Sequence, residues 1–336
     1  MLVPTVDPTR GTLKILLVVN PSASGVSARS RVVIQNALSA DHDLIVAETK
    51  RRGHATRLAQ GASTTGVDIV VALGGDGTMN EVANGLARTS TALGVLPGGS
   101  TNVFARTIGL VNEPVDATAQ LLDAIGRRSI RRIGLGNVNG RFFCFHVGMG
   151  FDAAVVAQVE RHAQLKRWLG HPLFLWAAID TWARKFDRTH AHFRVELAGA
   201  DLRGAAEPLP YAASSAQQVS KAGIDGFFAV AMNTDPYTYL GPRALSLAPE
   251  ASIDAPLALV TLTNLKLVPT LRVLGAAFKG GDRLRRRSNV DIRTDLHSFT
   301  VRAHRPFPWQ VDGDHLGDAD LLEFRWEPEV LDLVVP

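Results

Sequence analysis

A glycine-rich turn, Gly74-Gly75-Asp76-Gly77-Thr78, combines residue types and spacing that could bind phosphate. It follows the apolar run 67–73 and precedes a helical pattern over 79–86. Glycines let the backbone approach a bulky anion, and the N–H groups at a helix start donate to phosphate. Asp76 would repel phosphate unless a divalent cation lay between them. The turn therefore indicates a metal–nucleotide site, although a plain tight turn would also use Gly-Asp-Gly.

A second turn of the same kind, Gly98-Gly99-Ser100-Thr101-Asn102, follows the apolar run 92–96 and opens a predicted helix over 102–108. Two strand ends would then present glycines and hydroxyls to one crevice. The sequence contains no Gly-x-x-x-x-Gly-Lys-Ser/Thr loop, and Gly134-Leu135-Gly136-Asn137 lacks the third glycine of a dinucleotide fingerprint. The pair of turns therefore points away from an ordinary P-loop enzyme and from a dehydrogenase.

The elements that must position these turns alternate between strands and helices in the first part of the chain. Short apolar runs predict buried strands, and apolar residues at helical spacing predict the intervening helices. This alternation predicts an α/β, Rossmann-like domain with ligands at the carboxyl ends of parallel strands. The predicted strands are residues 15–19, 44–47, 67–73 and 92–96, and the predicted helices are residues 28–38, 57–62, 79–86, 102–108 and 115–125.

The pattern changes to β-rich segments after residue 132, which predicts a mostly antiparallel β-sandwich as the second domain. A helical block over 163–186 interrupts it, and residues 198–223 read as a long loop. We therefore expect a nucleotide-binding domain over 12–133, which residues 321–336 could complete, and a substrate domain over 134–320. The predicted strands of the second domain are residues 141–147, 191–197, 227–232, 257–262 and 298–303.

Composition excludes several classes of protein. The 336 residues are 46% hydrophobic and 20% charged, which is typical of a globular chain and not of a disordered one. The single cysteine cannot form an internal disulfide, and no apolar run reaches the roughly 18 residues of a spanning helix. We expect a cytoplasmic protein whose membrane contact is peripheral. The net charge of +4 does not choose between lipid and nucleic acid.

Together these motifs resemble the diacylglycerol kinase catalytic-domain family, with its bacterial soluble lipid kinases as the nearest branch. Sphingosine and ceramide kinases belong to the same family, and NAD kinases and phosphofructokinases share the first turn. The resemblance extends from about residue 14 to residue 314. It is carried by Asn20-Pro21 with Ser24-Gly25, residues 74–81, Gly98 through Arg106, Gly148-Met149-Gly150-Phe151-Asp152-Ala153 and Asp312-Gly313-Asp314.

The resemblance implies an ATP- and Mg²⁺-dependent lipid kinase of phospholipid metabolism, most simply one that converts diacylglycerol to phosphatidic acid. Asp76 would act with the metal, and Asp312 or Asp314 would be the general base, with Asp312 narrowly preferred. Without the resemblance, Asp312-Gly313-Asp314 would be read as a solvated turn. The implied ATP-binding residues are Asn20, Pro21, Ser22, Ala23, Ser24, Gly25, Thr49, Gly75, Asp76, Gly77, Thr78, Met79, Asn80, Glu81 and Ser100.

Two departures from the family pattern leave alternatives open. Val103 replaces the usual Asp after the second turn, and Ala255 stands where an Asp often holds a structural Mg²⁺, so that either Asp254 substitutes or this accessory metal site is absent. The chain could accordingly phosphorylate another acceptor, such as a sphingoid base, a glycolipid or NAD. It could also bind lipid without transferring phosphate.

Two segments could meet a lipid surface, and nucleic acid is not an expected partner. The 163–186 block presents a wide apolar face that would either pack on the sandwich or lie at a lipid interface. A basic cluster of Arg283, Arg285, Arg286 and Arg287 could meet anionic lipid or form a solvated loop. Assembly as a homodimer is also open. The apolar face consists of Leu165, Trp168, Leu169, Leu173, Phe174, Trp176, Ile179, Trp182 and Phe186.

Overall fold

The computed structural model describes residues 11–161, 173, 176–197 and 223–336. The helices are α1 (Ala28–Ser39), α2 (His54–Thr64), α3 (Asp76–Leu86), α4 (Val103–Thr107), α5 (Pro114–Gly126), α6 (Phe151–Glu160) and α7 (Leu267–Ala277). The strands are β1 (Lys14–Val19), β2 (Asp43–Glu48), β3 (Ile69–Gly74), β4 (Ala92–Pro97), β5 (Ile130–Val138), β6 (Arg141–Phe143), β7 (His146–Gly150), β8 (Phe193–Leu197), β9 (Ile224–Gly226), β10 (Phe228–Met232), β11 (Thr238–Leu240), β12 (Arg243–Leu245), β13 (Leu257–Leu262), β14 (Val290–Leu296), β15 (Ser298–Val311) and β16 (Asp314–Val334).

The first part of the chain is the predicted α/β unit with a parallel sheet. Its strands lie in the order β4-β3-β1-β2, and all three pairings are parallel. Strands β3 and β4 are buried along their whole length, which explains their uninterrupted apolar sequences. Helices cross over between the strands, so that the chain turns at the carboxyl ends of β1, β3 and β4 lie on one edge of the sheet.

The second part is mostly antiparallel, as predicted. Its strands continue the same sheet in the order β14-β13-β10-β7-β15-β16, and β5, β6, β8 and β9 pair at its sides. Side chains alternate between two cores along each strand. On β10, for example, Ala229 and Ala231 face one apolar cluster, whereas Val230 and Met232 face the other.

Strand β16 joins the two parts. Its first half pairs antiparallel with β15, and its last residues pair antiparallel with β5 and parallel with β4, where Leu333 lies opposite Leu93. Val330, Leu331, Leu333 and Val334 pack in the same core as β1, β3 and β4. This packing favours assigning residues 330–334 to the first, α/β domain, and we propose the boundary on that basis.

Several local predictions needed correction. The strand predicted over 141–147 is divided into β6 and β7, and residues 144–145 separate the two. Helices α6 and α7 were not predicted, and β15 and β16 extend well beyond the predicted strand 298–303. Helix α6 follows the buried strand β7 directly, so its apolar residues resemble a continuation of the β pattern, whereas residues 263–266 separate β13 from α7.

The helical block predicted over 163–186 lies only partly within the described chain. Residue 173 and residues 176–180 are helical, and a π-helical turn, Thr181–Lys185, follows them. Leu173 is buried, Trp182 and Phe186 pack on the second domain, and Trp176 and Ile179 are exposed. Leu165, Trp168, Leu169, Phe174 and residues 198–222 of the predicted loop lie outside the described residues.

Candidate functional site

Three loops meet at the carboxyl ends of β1, β3 and β4. They are residues 20–25, 74–77 and 98–102. The Gly25 N–H donates to the Gly98 carbonyl at 2.8 Å, and the Gly98 N–H donates to the Gly74 carbonyl at 2.8 Å. Asn20 Nδ2 donates to Thr78 Oγ1 at 3.0 Å. The two glycine turns and the Asn-Pro loop are therefore one connected structure.

The connection needs glycines because the backbones touch. A Cβ added to Gly98 would lie 2.8 Å from the Gly74 Cα and 2.8 Å from Val26 Cγ2. A Cβ added to Gly99 would lie 2.8 Å from the Gly75 Cα. Atoms at these distances overlap, so a side chain would force the loops apart. The second glycine turn thus serves to pack against the first.

Helix α3 holds its neighbours through two acidic side chains. The Asp76 carboxylate accepts the Val103 and Phe104 N–H groups at 3.1 and 3.2 Å, at the start of α4. The Glu81 carboxylate accepts the Gly53 and Ala55 N–H groups at 2.7 and 3.0 Å, at the start of α2. Each carboxylate satisfies orphan amides at the positive end of a helix dipole. Asp76 and Glu81 thereby fix the loops that precede α4 and α2.

A polar cleft of about 280 Å³ opens in front of these loops. Six of the residues implied for ATP line it, together with Asp314 and three consecutive basic residues. A helix start, basic side chains and a carboxylate in one cleft suit a phosphate ester. The lining residues are Asn20, Ser22, Thr49, Lys50, Arg51, Arg52, Gly77, Thr78, Glu81 and Asp314.

The other residues implied for ATP lie around this cleft and support it. Gly25 packs on Gly98, and Gly75 is the residue that caps α3. Met79 and Asn80 are on the buried side of α3, and Ser100 is exposed on the second turn. Pro21, Ala23 and Ser24 belong to the Asn-Pro loop, where the Ala23 N–H donates to the Asn20 carbonyl at 3.2 Å.

Asp312 and Gly313 form the two-residue turn between β15 and β16. Val311 pairs with Asp314 across it, and both turn residues have positive φ, 48° and 84°. Asp-Gly is favoured there because a tight hairpin of this kind requires positive φ at both central positions. The turn sends Asp312 inward and leaves Asp314 at the cleft, which the motif alone could not show.

Asp312 is buried, with 2% of its surface exposed. Its carboxylate accepts the N–H groups of Cys144, Phe145 and His146 at 2.8, 3.0 and 3.0 Å, and Asn80 Nδ2 at 2.7 Å. Burial raises the pKa of Asp312 from 3.8 to about 6, and the four hydrogen bonds oppose that rise. In this geometry the Asp312 carboxylate holds the surrounding elements in position as an internal brace. Its burial does not favour Asp312 over Asp314 as the general base.

Asp314 faces the glycine turn. A Cβ on Gly77 would lie 3.2 Å from Asp314 Oδ1. Arg52 Nη2 lies 3.5 Å from Oδ1, and Arg141 Nη2 lies 3.7 Å from Oδ2, while Asp314 keeps 23% of its side chain exposed. Arg141 also donates to Asn80 Oδ1 at 2.8 Å. Asp314 is thus held between two guanidinium groups at the edge of the cleft.

Sequence reasoning missed the basic residues of the site. Lys50, Arg51 and Arg52 follow Thr49 at the end of β2, so a basic run after a predicted strand was the available signal. Arg141 begins β6 and comes from the second domain. Nothing in its local sequence marks it, because only the folded chain brings β6 against α3.

A second cavity, of about 410 Å³, lies next to the cleft on the second domain. His315, the neighbour of Asp314, lines it, and the His315 N–H donates to Glu160 Oε1 at 3.1 Å. Thr181 is 1% exposed, and its hydroxyl has no hydrogen-bond partner among the described residues. The walls are Ala154, Ala157, Gln158, Arg161, Thr181, Lys185, Pro308, His315 and Asp318.

Asp254, the candidate for an accessory metal, instead pairs with Arg131 on the surface. Within residues 11–161, 173, 176–197 and 223–336, no group of three or more His, Cys, Asp or Glu side chains is arranged to hold a metal ion. The ion pair therefore accounts for Asp254 better than a metal ligand would.

Comparison with known proteins identifies one family. The diacylglycerol kinase catalytic domain matches residues 14–138. A Pseudomonas syringae pv. syringae protein named "Probable lipid kinase YegS-like" is 33% identical over 296 residues, covering 88% of this chain and 84% of its own. The Bacillus subtilis diacylglycerol kinase is 36% identical over 140 residues, covering 41% and 45%.

A further relative and a solved structure also match this chain. A Pseudomonas aeruginosa protein with the same YegS-like name is 36% identical over 180 residues, so the match spans 53% of this chain and 56% of that protein. A solved structure of a diacylglycerol kinase from Bacillus anthracis str. Sterne has a TM-score of 0.66 at 18% identity, covering 96% of this chain and 97% of that one. The structural likeness supports the fold.

The contact between the two glycine turns predicts a specific loss of stability. Gly98→Ala should lower the free energy of unfolding by about 1–3 kcal/mol, because the added methyl group overlaps Gly74. Gly61→Ala is the matched control: Gly61 is exposed inside α2 with nothing near its Cβ position, so it should gain up to about 1 kcal/mol. Thermal and urea unfolding measure both. Equal effects of the two substitutions would contradict the packing role.

The burial of Asp312 predicts how stability depends on pH. Between about pH 4 and pH 6 the folded chain holds the Asp312 proton more tightly than the unfolded chain. Its contribution is therefore complete below about pH 4 and is lost as the pH rises through 6, a change of roughly 3 kcal/mol. Asp312→Asn leaves amide donors unpaired and should be less stable than wild type at every pH.

The difference between wild type and Asp312→Asn should nevertheless shrink as the pH rises from 4 to 6. Urea unfolding at a series of pH values measures it. Parallel stability curves for the two proteins would show that Asp312 does not titrate in this window.

Proposed function

Because the chain belongs to the diacylglycerol kinase catalytic-domain family of lipid kinases, we propose that it transfers the terminal phosphate of ATP to the hydroxyl of a lipid, with diacylglycerol as the acceptor. The observation that carries the proposal is the position of the Asp314 carboxylate over the glycine turn that begins α3. A carboxylate next to a phosphate site is what a phosphotransferase with an alcohol acceptor requires. The YegS-like relatives are named as lipid kinases, which supports the substrate class.

The first turn of α3 binds the phosphates in this proposal. Its amides and the positive end of its dipole favour an anion. Lys50, Arg51 and Arg52 line the cleft opposite Gly77 and add positive charge. These side chains lie close to the start of α2, so a bound polyphosphate would relieve repulsion between the basic residues and that helix end. Charge and geometry at the cleft therefore favour binding of a nucleoside triphosphate.

Asp314 is the proposed general base. It accepts the proton of the acceptor hydroxyl while the oxygen attacks the γ-phosphorus, a P–O bond forms, and the bond to the departing ADP oxygen breaks. Arg52 and Arg141 orient the carboxylate and face the charge that spreads over the transferred phosphoryl group. Asp312 does not reach the acceptor, because four N–H donors occupy its buried carboxylate. Its role is positional.

The residues of the cleft fit a magnesium ion carried by the nucleotide. Mg²⁺ is usually held by one or two carboxylates together with substrate phosphates, and not by a complete protein cage. Asp76, at the start of α3 next to Gly77 of the cleft, would hold it here with the Asn20 and Thr78 side chains beside it, and Asp314 would remain available as the base. The ion supplies neutralisation of phosphate charge when bound.

The second cavity is the proposed entry for the acceptor. It adjoins the cleft through consecutive residues, since Asp314 lines one and His315 lines the other. Ala154, Ala157 and Pro308 provide apolar wall, while Thr181 and Lys185 provide polar groups for a glycerol head. An acceptor seated there would present its hydroxyl towards Asp314.

A radiolabel transfer assay tests the function. Purified protein is incubated with γ-labelled ATP, Mg²⁺ and mixed micelles that contain diacylglycerol, monoacylglycerol, sphingosine, ceramide or a glycolipid, with NAD in parallel. Labelled phosphatidic acid is the expected product. Label on another acceptor would keep the phosphotransfer and replace the substrate. Bound ATP without any labelled product would favour a lipid-binding homologue that transfers no phosphate.

The assignment of the base predicts the kinetics of one variant. Asp314→Asn should lower kcat by about a hundredfold or more while ATP still raises the melting temperature, because only the proton acceptor is lost. Asp320→Asn, an exposed substitution on the same strand, is the matched control and should keep near-normal kcat. Near-normal turnover of Asp314→Asn would remove Asp314 from the role of base.

A further inference from the structure

Helix α7 carries an apolar stripe that faces solvent. Leu267, Leu271, Leu274 and Phe278 follow each other at spacings of three and four residues, so they share one side of the helix. They are 51%, 56%, 41% and 38% exposed, and Val268 beside them is 55% exposed. Five large apolar side chains in one exposed patch are unusual for a surface helix. We call these five residues the α7 stripe.

The opposite side of α7 is firmly packed, so the stripe is not a frayed segment. Val273, Ala276 and Ala277 are 6%, 4% and 1% exposed and belong to the core that includes Met232, Val260 and Leu284. The helix is therefore anchored on the sheet through small side chains. Its large apolar side chains point outward, the reverse of an ordinary amphipathic surface helix.

The charges around the stripe indicate what covers it. Residues 266–287 contain seven basic side chains and one acidic side chain, whereas the whole chain has nearly equal numbers, 36 and 32. Lys266, Arg272 and Lys279 are exposed on α7 and at its ends, and Arg283 and Arg286 follow. An apolar stripe with a basic rim matches an anionic lipid bilayer, whose surface attracts the rim while its interior takes the side chains.

A second copy of this chain fits the same patch less well. In a twofold contact the stripe would meet itself, and the two basic rims would face each other. Like charges opposed at an interface are destabilising. Charge complementarity therefore favours the bilayer as the occupant.

The stripe is linked to the cavity that we assign to the acceptor. Trp182 Nε1 donates to the Leu265 carbonyl at 3.0 Å, just before α7 begins. Thr181 and Lys185, on the same π-helical turn as Trp182, line the second cavity. Ile179, one turn earlier, is 59% exposed. A bilayer on the stripe would thus lie beside the segment that borders the cavity.

We propose that the α7 stripe docks the protein on an anionic bilayer and brings the second cavity to the membrane surface. The inference rests on the proposed function, because docking serves catalysis only when the acceptor is a membrane lipid. Insertion of the stripe accounts for its exposed leucines. Attraction to the rim accounts for the excess of basic residues in 266–287.

Vesicle sedimentation tests the proposal. Full-length protein is mixed with sucrose-loaded vesicles of equal parts phosphatidylglycerol and phosphatidylcholine, and with vesicles of phosphatidylcholine alone. The double variant Leu271→Gln/Leu274→Gln should lower the partition coefficient on the mixed vesicles by at least about tenfold, because two inserted side chains become polar. Both positions are exposed, so the melting temperature should be unchanged. Val32→Gln, which changes a 56% exposed valine on α1, is the matched control and should bind like wild type.

Further measurements separate docking on a bilayer from contact with a second copy. Arg283→Gln/Arg286→Gln should weaken binding to the mixed vesicles and flatten its dependence on salt. If Leu271→Gln/Leu274→Gln bound the mixed vesicles as strongly as wild type, docking through α7 would be overturned. Equal binding of wild type to neutral and anionic vesicles would also overturn it. If wild type bound no vesicles but formed a dimer in solution, and this double variant were a monomer, the stripe would be assigned to contact with a second copy. That result would overturn the proposal.

Phosphotransfer to a short-chain diacylglycerol dispersed as monomers is the separate readout of the proposed function. Leu271→Gln/Leu274→Gln should keep wild-type rates on this acceptor and lose activity on long-chain diacylglycerol in mixed vesicles. Vesicle binding without any phosphotransfer would defeat the proposed function and leave docking in place. Transfer to the short-chain acceptor without vesicle binding would support the proposed function and overturn docking through α7.

Discussion

The buried carboxylate of Asp312 is the interaction on which the geometry of the site depends. Its donors come from α3, through Asn80, and from the segment between β6 and β7, through three successive backbone amides. Asn80 and Asp312 are 232 residues apart in sequence. An ionised carboxylate is costly to bury, and only a full set of donors makes the position tolerable. The brace therefore fixes α3, the β15–β16 turn and the start of β7 relative to one another.

Helix α3 distributes that constraint to the rest of the cleft. Asp76 and Glu81 hold the starts of α4 and α2, and Asn84 bonds the backbone of Phe142 in both directions. The helix whose N-terminus would bind phosphate in our proposal is thus tied on several sides to the elements around it. A binding site held in this way needs little rearrangement when its ligand arrives, which favours both affinity and orientation. The residues that contact substrate in our proposal are few, and most of the motif residues support them.

The sequence predicts the parts of the fold that follow from local pattern. Strands β3 and β4 are apolar runs with glycines after them, so their type and the position of the two glycine turns could be read directly. Helix α7 could not, because its exposed leucines and buried alanines invert the usual pattern. The choice between Asp312 and Asp314 was also beyond the sequence. The two acids flank one glycine, and only the hairpin turn decides which of them is buried.

The position of β16 has a consequence for how the protein is made. The second neighbour of β4 in the sheet is β16, at residues near 333, although β1–β4 all lie before residue 100 of the sequence. While the intervening residues are being synthesised, the core of the first part therefore lacks Val330, Leu331 and Leu333, which β16 contributes. During synthesis the exposed side of β4 is an unpaired edge that invites association with other chains. Completion of the cleft and completion of the sheet then occur together, because the strand that closes the core also begins with Asp314.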